Sequence, residues 1–191
     1  MILNQEYDFQ RDARQDVKDA FKSLPRKVLL RAGEKLYRIL TPAELTEIRN
    51  KAGRENVKPD PNEVGQWWMS KRTFDRLVEV SKQGEKGLSD VVRAKLAISR
   101  DFSKRMNALC IIQLKREMYA FEGLAAPQRL SKEYPKVMLI GNAEQVWIPR
   151  MSWKDIFVER FLNSFGAIDL ADLSPHLTAT LADILRAHGG K

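Results

Sequence analysis

The sequence predicts an α+β fold, and three observations carry that expectation. Short apolar runs with two-residue alternation, such as Leu36 to Leu40 and Glu144 to Ile148, read as strands. Between them lie stretches with apolar residues at helical spacing, such as Phe74, Leu77 and Val78, and several open on capping residues. The strands and helices come separated rather than in regular βαβ alternation, and no internal repeat or low-complexity tract runs through the 191 residues.

Composition narrows the setting. The chain is 43% hydrophobic, enough for a real core, and 30% charged, so its surface is well solvated. Its length suits one domain, or one domain with helical appendages. A net charge of +8 and a pI of about 9.6 imply an acidic partner or ligand. Nucleic acid, a phosphate-bearing small molecule, an anionic membrane and an acidic protein all fit. The single cysteine, Cys110, precludes an intrachain disulfide and points to a reducing compartment. The N-terminus lacks the basic start and apolar core of a secretory signal, and no window approaches the roughly 18 apolar residues that span a bilayer. The expectation is therefore a soluble protein acting in a cytosol, with no membrane partner. His176 and His188 sit near the C-terminus, away from Cys110, so neither a metal centre nor a histidine-activated nucleophile is expected.

In chain order, Asp8 to Leu24 reads as one charged helix with a narrow apolar stripe, stopped by Pro25. Val28 to Arg31 and Lys35 to Leu40 read as two short strands around Gly33. In the second, Leu36 and Arg38 point one way, Tyr37 and Ile39 the other. A half-buried arginine needs an anion or a carboxylate, so Arg38 should have a partner. Thr41, Pro42 and Glu44 form a capping box that opens a helix to about Lys51. A polar loop comes after it, and then Gly65-Gln66-Trp67-Trp68-Met69-Ser70. If extended, its two tryptophans face opposite ways. Ser70 caps a helix from about Lys71 to Lys82, and a second helix covers about Asp90 to Ile98. Asn107 to Leu114 is a continuous apolar run and reads as a buried strand. Tyr119 to Gln128 is a strand end followed by an irregular segment.

Val137 to Arg150 is the stretch on which the rest turns. An apolar run reaches the turn pair Gly141-Asn142, and Glu144 to Ile148 then alternates, so the two stretches read as a hairpin with polar residues at the start of its second strand. Gln145 and Trp147 share one face; Glu144, Val146 and Ile148 share the other. Pro149 ends the strand. Two closing helices are expected beyond it. The first opens on Ser152 with Asp155 as its box partner, and the second opens on Ser174. The resulting division is a helical segment over 1–25, a core over 26–150 and a helical segment over 151–191.

Four short signatures stand in one order. They are Gly33 to Arg38 (GEKLYR), Gly65 to Trp68 (GQWW), Phe121 to Gln128 (FEGLAAPQ) and Gly141 to Pro149 (GNAEQVWIP). The series resembles the ADP-ribosyltransferase-like toxin domains of bacterial polymorphic and type VI secretion effectors, over about Leu29 to Pro149. The resemblance implies a split, mostly antiparallel β-core with a cleft, and NAD as the substrate without a metal. Arg38 would then contact a phosphate or ribose of NAD, with Tyr37 and Gln128 in the same cofactor-binding set. Trp67 or Trp68 would stack on a ring of the cofactor. Gln145, with Glu144 as the alternative, would hold the catalytic strand position and stabilise the oxocarbenium-like charge as nicotinamide leaves. Two features depart from the family pattern. Gly65 to Ser70 stands where a Ser-Thr-Ser-type strand is usual, and Glu-Gln replaces two spaced acids. A glutamine there resembles members that hydrolyse NAD, so an NAD glycohydrolase is expected.

The same resemblance implies interbacterial competition, delivery into a target cell's cytoplasm without a classical signal peptide, and an acidic immunity protein as partner. Two alternatives stand beside it. One is ADP-ribosylation of a protein or nucleic acid through Glu144. The other is a non-enzymatic basic module for nucleic acid, motivated by Lys71-Arg72, Lys104-Arg105 and Lys115-Arg116.

Overall fold

The computed structural model describes residues 2–52, 64–84, 87–101 and 106–162. Its centre is a seven-stranded sheet. The strands are β1 (Arg26–Leu30), β2 (Lys35–Leu40), β3 (Trp67–Ser70), β4 (Ala108–Leu114), β5 (Met118–Leu124), β8 (Glu144–Trp147) and β9 (Ile156–Leu162). Their order is β1-β5-β8-β3-β2-β4-β9, and every neighbouring pair is antiparallel. A separate two-stranded ribbon joins β6 (Gln128–Arg129) to β7 (Met138–Leu139). The expected α+β class, with a mostly antiparallel sheet, is what the chain adopts.

The sheet is pinched at one seam. β2 and β3 share only the pairs Leu36↔Ser70 and Tyr37↔Met69, whereas β2 and β4 pair along the whole of β2, from Lys35↔Gln113 to Leu40↔Ala108. One apolar cluster draws on both sides of the seam. Leu30, Met118 and Val146 come from one side; Leu40, Cys110 and Ile156 come from the other. Helix α3 (Pro42–Ala52) adds Leu45 and Ile48 to this cluster. Fully burying one such aliphatic side chain stabilises by about 1.5–3 kcal/mol.

Alternation sends the intervening residues to the opposite face. There Tyr37, Ile39, Met69, Leu109 and Ile111 meet helices α4 (Lys71–Gln83) and α5 (Leu88–Lys95). The expected caps are in place. Glu44 accepts from the Thr41 amide at 2.8 Å and returns its own amide to Thr41 Oγ1 at 3.2 Å. Ser70 Oγ accepts from the Thr73 amide at 3.2 Å, opening α4.

Three expectations are corrected. Asp8 to Leu24 is not one helix but α1 (Phe9–Asp12) and α2 (Gln15–Asp19), because Ala13 and Arg14 take extended backbone between them. The bend brings Phe9 and Phe21 together at 5.6 Å between ring centroids, and both pack with Phe121 and Trp147. Val137 to Ile140 does not form a hairpin with Glu144 to Ile148. It pairs with β6 instead, while Gly141 and Asn142 turn the chain with positive φ of 66° and 70°. The Ser152–Asp155 box exists, but it caps a single 3₁₀ turn, Trp153–Asp155, rather than a helix. The residues after that turn are extended because β4 offers them an open edge, and β9 takes it. The expected helix from Ser174, with His176 and His188, lies outside the described residues.

Cys110 is fully buried in the shared cluster, and burial pushes its thiol up to about 12, opposed in part by Arg38. It should therefore resist thiol reagents at pH 8 until the chain unfolds. Above about pH 9 the unfolded thiol ionises while the folded one holds its proton, so stability falls as pH rises toward 12. Labelling by Ellman's reagent across a denaturant series tests this, and full labelling of the folded chain would contradict it.

Candidate functional site

Arg38 leaves β2 on the face of the shared cluster, opposite Cys110 in register. It stands where β2 and β3 part. The guanidinium carbon lies 5.9 Å from the centroid of the Trp68 ring, a cation–π distance. Trp68 is itself locked, because its indole N–H donates to the Gly65 carbonyl at 3.0 Å. Gly65 has φ of 80°, and a Cβ built there would stand 1.8 Å from Arg38 Nη1. The guanidinium thus crosses directly over a glycine, which is what lets it lie against the backbone.

Its partners are few. Among the described residues, Arg38 makes one ion pair, Nη2 to Glu44 Oε1 at 3.3 Å, with its side chain 27% exposed. The other oxygen of Glu44 is held by the Thr41 amide and hydroxyl at 2.8 and 2.9 Å. A guanidinium has five N–H donors in a planar fork. Here most of them stand without a protein acceptor among the described residues. Burial pulls the Arg38 guanidinium below its ordinary value, opposed by Glu44 and then Cys110. A partly desolvated cation with unused donors fits a phosphate or carboxylate, which it can grip through two parallel hydrogen bonds.

The seven residues singled out in the sequence fall into three places. Arg38, Trp68 and Glu144 share the face of the common core. Tyr37, Trp67 and Gln145 lie on the other face. Tyr37 is stacked on Phe74 at 4.8 Å and is 1% exposed. Trp67 packs against Phe21 and Trp147 at 5.4 and 6.3 Å between centroids. Gln128 sits on the separate ribbon, opposite Leu139.

Arg38 and Gln145, both of which the resemblance assigns to one site, stand on opposite faces of the sheet. Gln145 is 7% exposed, and its Nε2 donates to the Ala20 carbonyl at 2.8 Å, just past α2. That bond ties the N-terminal segment to β8. Gln145→Leu should destabilise the fold by about 1 kcal/mol, measured by urea unfolding, because the Ala126 amide at 2.9 Å still satisfies the same carbonyl.

Glu144 replaces Gln145 on the shared face, by the same alternation that buries Val146 beside Trp68. It is ion-paired to Arg72, from the first turn of α4. In the row of Arg38, β8 presents the apolar Val146; Glu144 stands one repeat along.

Sequence reasoning gave no role to Glu122. It lies in register with Val146 and Arg26, on the face of Ala120 and Met118, and binds Arg26 at 2.7 Å with its side chain 15% exposed. The alternation Met118, Ala120, Glu122 held the signal.

No family model matches the chain, and no curated protein is significantly similar to it in sequence. Two solved structures are similar in shape. One is Tne2 in complex with Tni2, at TM-score 0.44 and 11% identity over 71% of this chain and 87% of that one. The other is Rhs1-CT in complex with its cognate immunity protein RhsI1, at TM-score 0.43 and 14% identity over 73% and 80%. Likenesses at this distance carry no argument about activity.

Proposed function

We propose that this chain cleaves the bond between nicotinamide and ribose in NAD, with water as the acceptor. The observation that carries the reading is the Arg38 guanidinium, half-buried, seated over Gly65 and Trp68, and paired among the described residues only at 3.3 Å to a carboxylate already engaged in a cap. Such a group suits the pyrophosphate of a dinucleotide. The ordered resemblance across four signatures supplies the identity of that dinucleotide. The adjacency of β2, β3 and β8 supports it, since the arginine strand, the tryptophan strand and the late Glu-Gln strand are consecutive neighbours.

The reaction breaks the C1′–N bond, and nicotinamide leaves with the electron pair. Positive charge develops on the ribose, where a carboxylate on the same face stabilises it. Glu144 is the residue assigned to that post. Water then adds to C1′ and releases a proton, giving ADP-ribose. Trp68 backs the guanidinium and fixes its plane.

Incubating the purified chain with NAD and measuring nicotinamide by chromatography tests the reading directly. Release is expected for the native chain and is expected to fall sharply for Glu144→Gln. A chain that leaves NAD intact contradicts the proposal.

Gly65→Ala should act through Arg38. A non-glycine residue at φ of 80° costs about 1–2 kcal/mol, and the new methyl group displaces the guanidinium. The expected result is a small fall in melting temperature with at least a tenfold fall in nicotinamide release. Unchanged release would separate Arg38 from the chemistry.

A second reading has one observation in its favour. Glu144, and not Gln145, shares the face of Arg38, and a carboxylate there suits activation of an acceptor nucleophile. Transfer of ADP-ribose to a protein or nucleic acid would then replace hydrolysis. Labelled NAD leaves its label on a macromolecule in that case, and as free ADP-ribose in the first. Under either reading the chain acts as a toxin in a recipient cytosol, and an acidic immunity protein neutralises it.

A further inference from the structure

The ribbon formed by β6 and β7 has an unusual outer face. Register pairs Gln128 with Leu139 and Arg129 with Met138. Leu139 points inward and is buried. Met138 and Ile140 point outward and are each 55% exposed. Tyr134 and Val137, at the turn, are 46% and 47% exposed. Four of the seven exposed large hydrophobic side chains among the described residues therefore belong to this ribbon and its turn. Isolated exposed apolar residues need no explanation, but a contiguous group on a soluble surface marks an interaction site.

The rim of the ribbon is basic. Arg129, Lys132 and Lys136 belong to the ribbon and its turn, and all three are exposed. Arg100 is anchored beside them by its amide, which donates to the Leu130 carbonyl at 2.7 Å. Lys22 reaches the adjoining turn, where its Nζ donates to Asn142 Oδ1 at 2.9 Å. Glu133 and Asp101 are the acids among these groups, and the Asp101 carboxylate already accepts from the Lys132 amide at 2.9 Å. Five cations against two acids surround an apolar centre.

That pattern narrows the occupant. Nucleic acid would use the cations but give the apolar side chains no matching contact; an anionic bilayer would take both, and vesicle binding is therefore one outcome of the test. A second copy would bring cations against cations. The geometry points to a docking site for a different protein, one that presents apolar or aromatic side chains within an acidic surface. The apolar centre supplies the contact energy, and the cations speed encounter and set orientation. The inference rests on the ribbon and its turn and not on the NAD reading, because no residue of the ribbon belongs to the Arg38 face.

The test uses the full chain and fluorescein-labelled poly(Glu,Tyr), a random copolymer that offers acidic and aromatic side chains together. Fluorescence anisotropy at about physiological salt should show saturable binding. Met138→Ser with Ile140→Ser should weaken it at least tenfold, without lowering the melting temperature. Lys132→Ser with Lys136→Ser should weaken it similarly and flatten its salt dependence. Lys115→Ser with Lys154→Ser, near the opposite end of β5, should leave it unchanged. The inference is overturned by failure of the copolymer to bind, or by equal losses in the Lys115 and Lys154 control. It is equally overturned if duplex DNA or polyglutamate binds as tightly, or if the chain binds phosphatidylserine vesicles and the Met138 and Ile140 variant does not. A concentration-dependent dimer that the Met138 and Ile140 variant dissolves would assign the face to a second copy instead.

Discussion

Arg38→Ala is expected to lower kcat/KM for nicotinamide release by about 10²–10³-fold, the loss that accompanies removal of one preorganised charge-stabilising group. The expectation rests on how little else Arg38 does among the described residues. Its ion pair there is long, and Glu44 keeps its bonds to Thr41 when the guanidinium is gone. The fold should therefore lose little stability, and the melting temperature should separate a chemical effect from an unfolded chain. Arg38→Lys should not restore activity. An ammonium carries the charge but not the planar fork, and it cannot lie flat between Trp68 and Gly65. Full activity in either variant would remove Arg38 from the site.

Asp155→Ala should be the most damaging of the single substitutions for stability, at about 2–4 kcal/mol. The side chain is buried, and one of its oxygens accepts from both the Ser152 amide at 2.9 Å and the Ser152 hydroxyl at 2.7 Å. The other accepts Arg116 Nε at 2.9 Å. The Asp155 carbonyl, meanwhile, accepts from the Lys115 amide at 2.8 Å. The residue thus fixes the connection from β4 to β5 against the start of β9. Truncation leaves two buried Ser152 donors without an acceptor and frees the arginine. For a chain of this size each kcal/mol shifts the melting temperature by about 2–4 °C. Scanning calorimetry checks it, and a loss below about 1 kcal/mol would show that water replaces the carboxylate. Asp155→Asn should fall between, because the amide still offers one oxygen.

Much of this was legible in the residues. Alternation over Leu36 to Ile39 placed Arg38 on the side away from Tyr37, and the need of a half-buried guanidinium for an anion foretold a partner without saying whether it would be a protein carboxylate, such as Glu44, or a ligand phosphate. The caps at Thr41 and Ser70 were readable because capping is local chemistry between residues three apart. The same locality misled at Ser152. There the box forms as expected, but the open edge of β4, set by residues about forty positions away, makes the next segment a strand instead of a helix. Gln145 shows a different limit. Alternation correctly put it opposite Glu144, but nothing in the sequence states which face carries Arg38 until register joins β2 to β3 and β3 to β8. Glu122 was missed for the same reason.

The most direct measurement exploits the four tryptophans. Their indole N–H signals can be tracked by ¹⁵N–¹H correlation spectroscopy, with each assigned through its Trp→Phe variant. Trp68 lies beneath Arg38, whereas Trp67 and Trp147 lie on the face of Gln145. Titration with ADP-ribose, which carries the pyrophosphate and cannot be consumed, should shift the Trp68 signal in a saturable way and leave Trp67 and Trp147 in place. Shifts confined to Trp67 and Trp147, with Trp68 unmoved, would put the ligand on the wrong side of the sheet and contradict the assignment of Arg38.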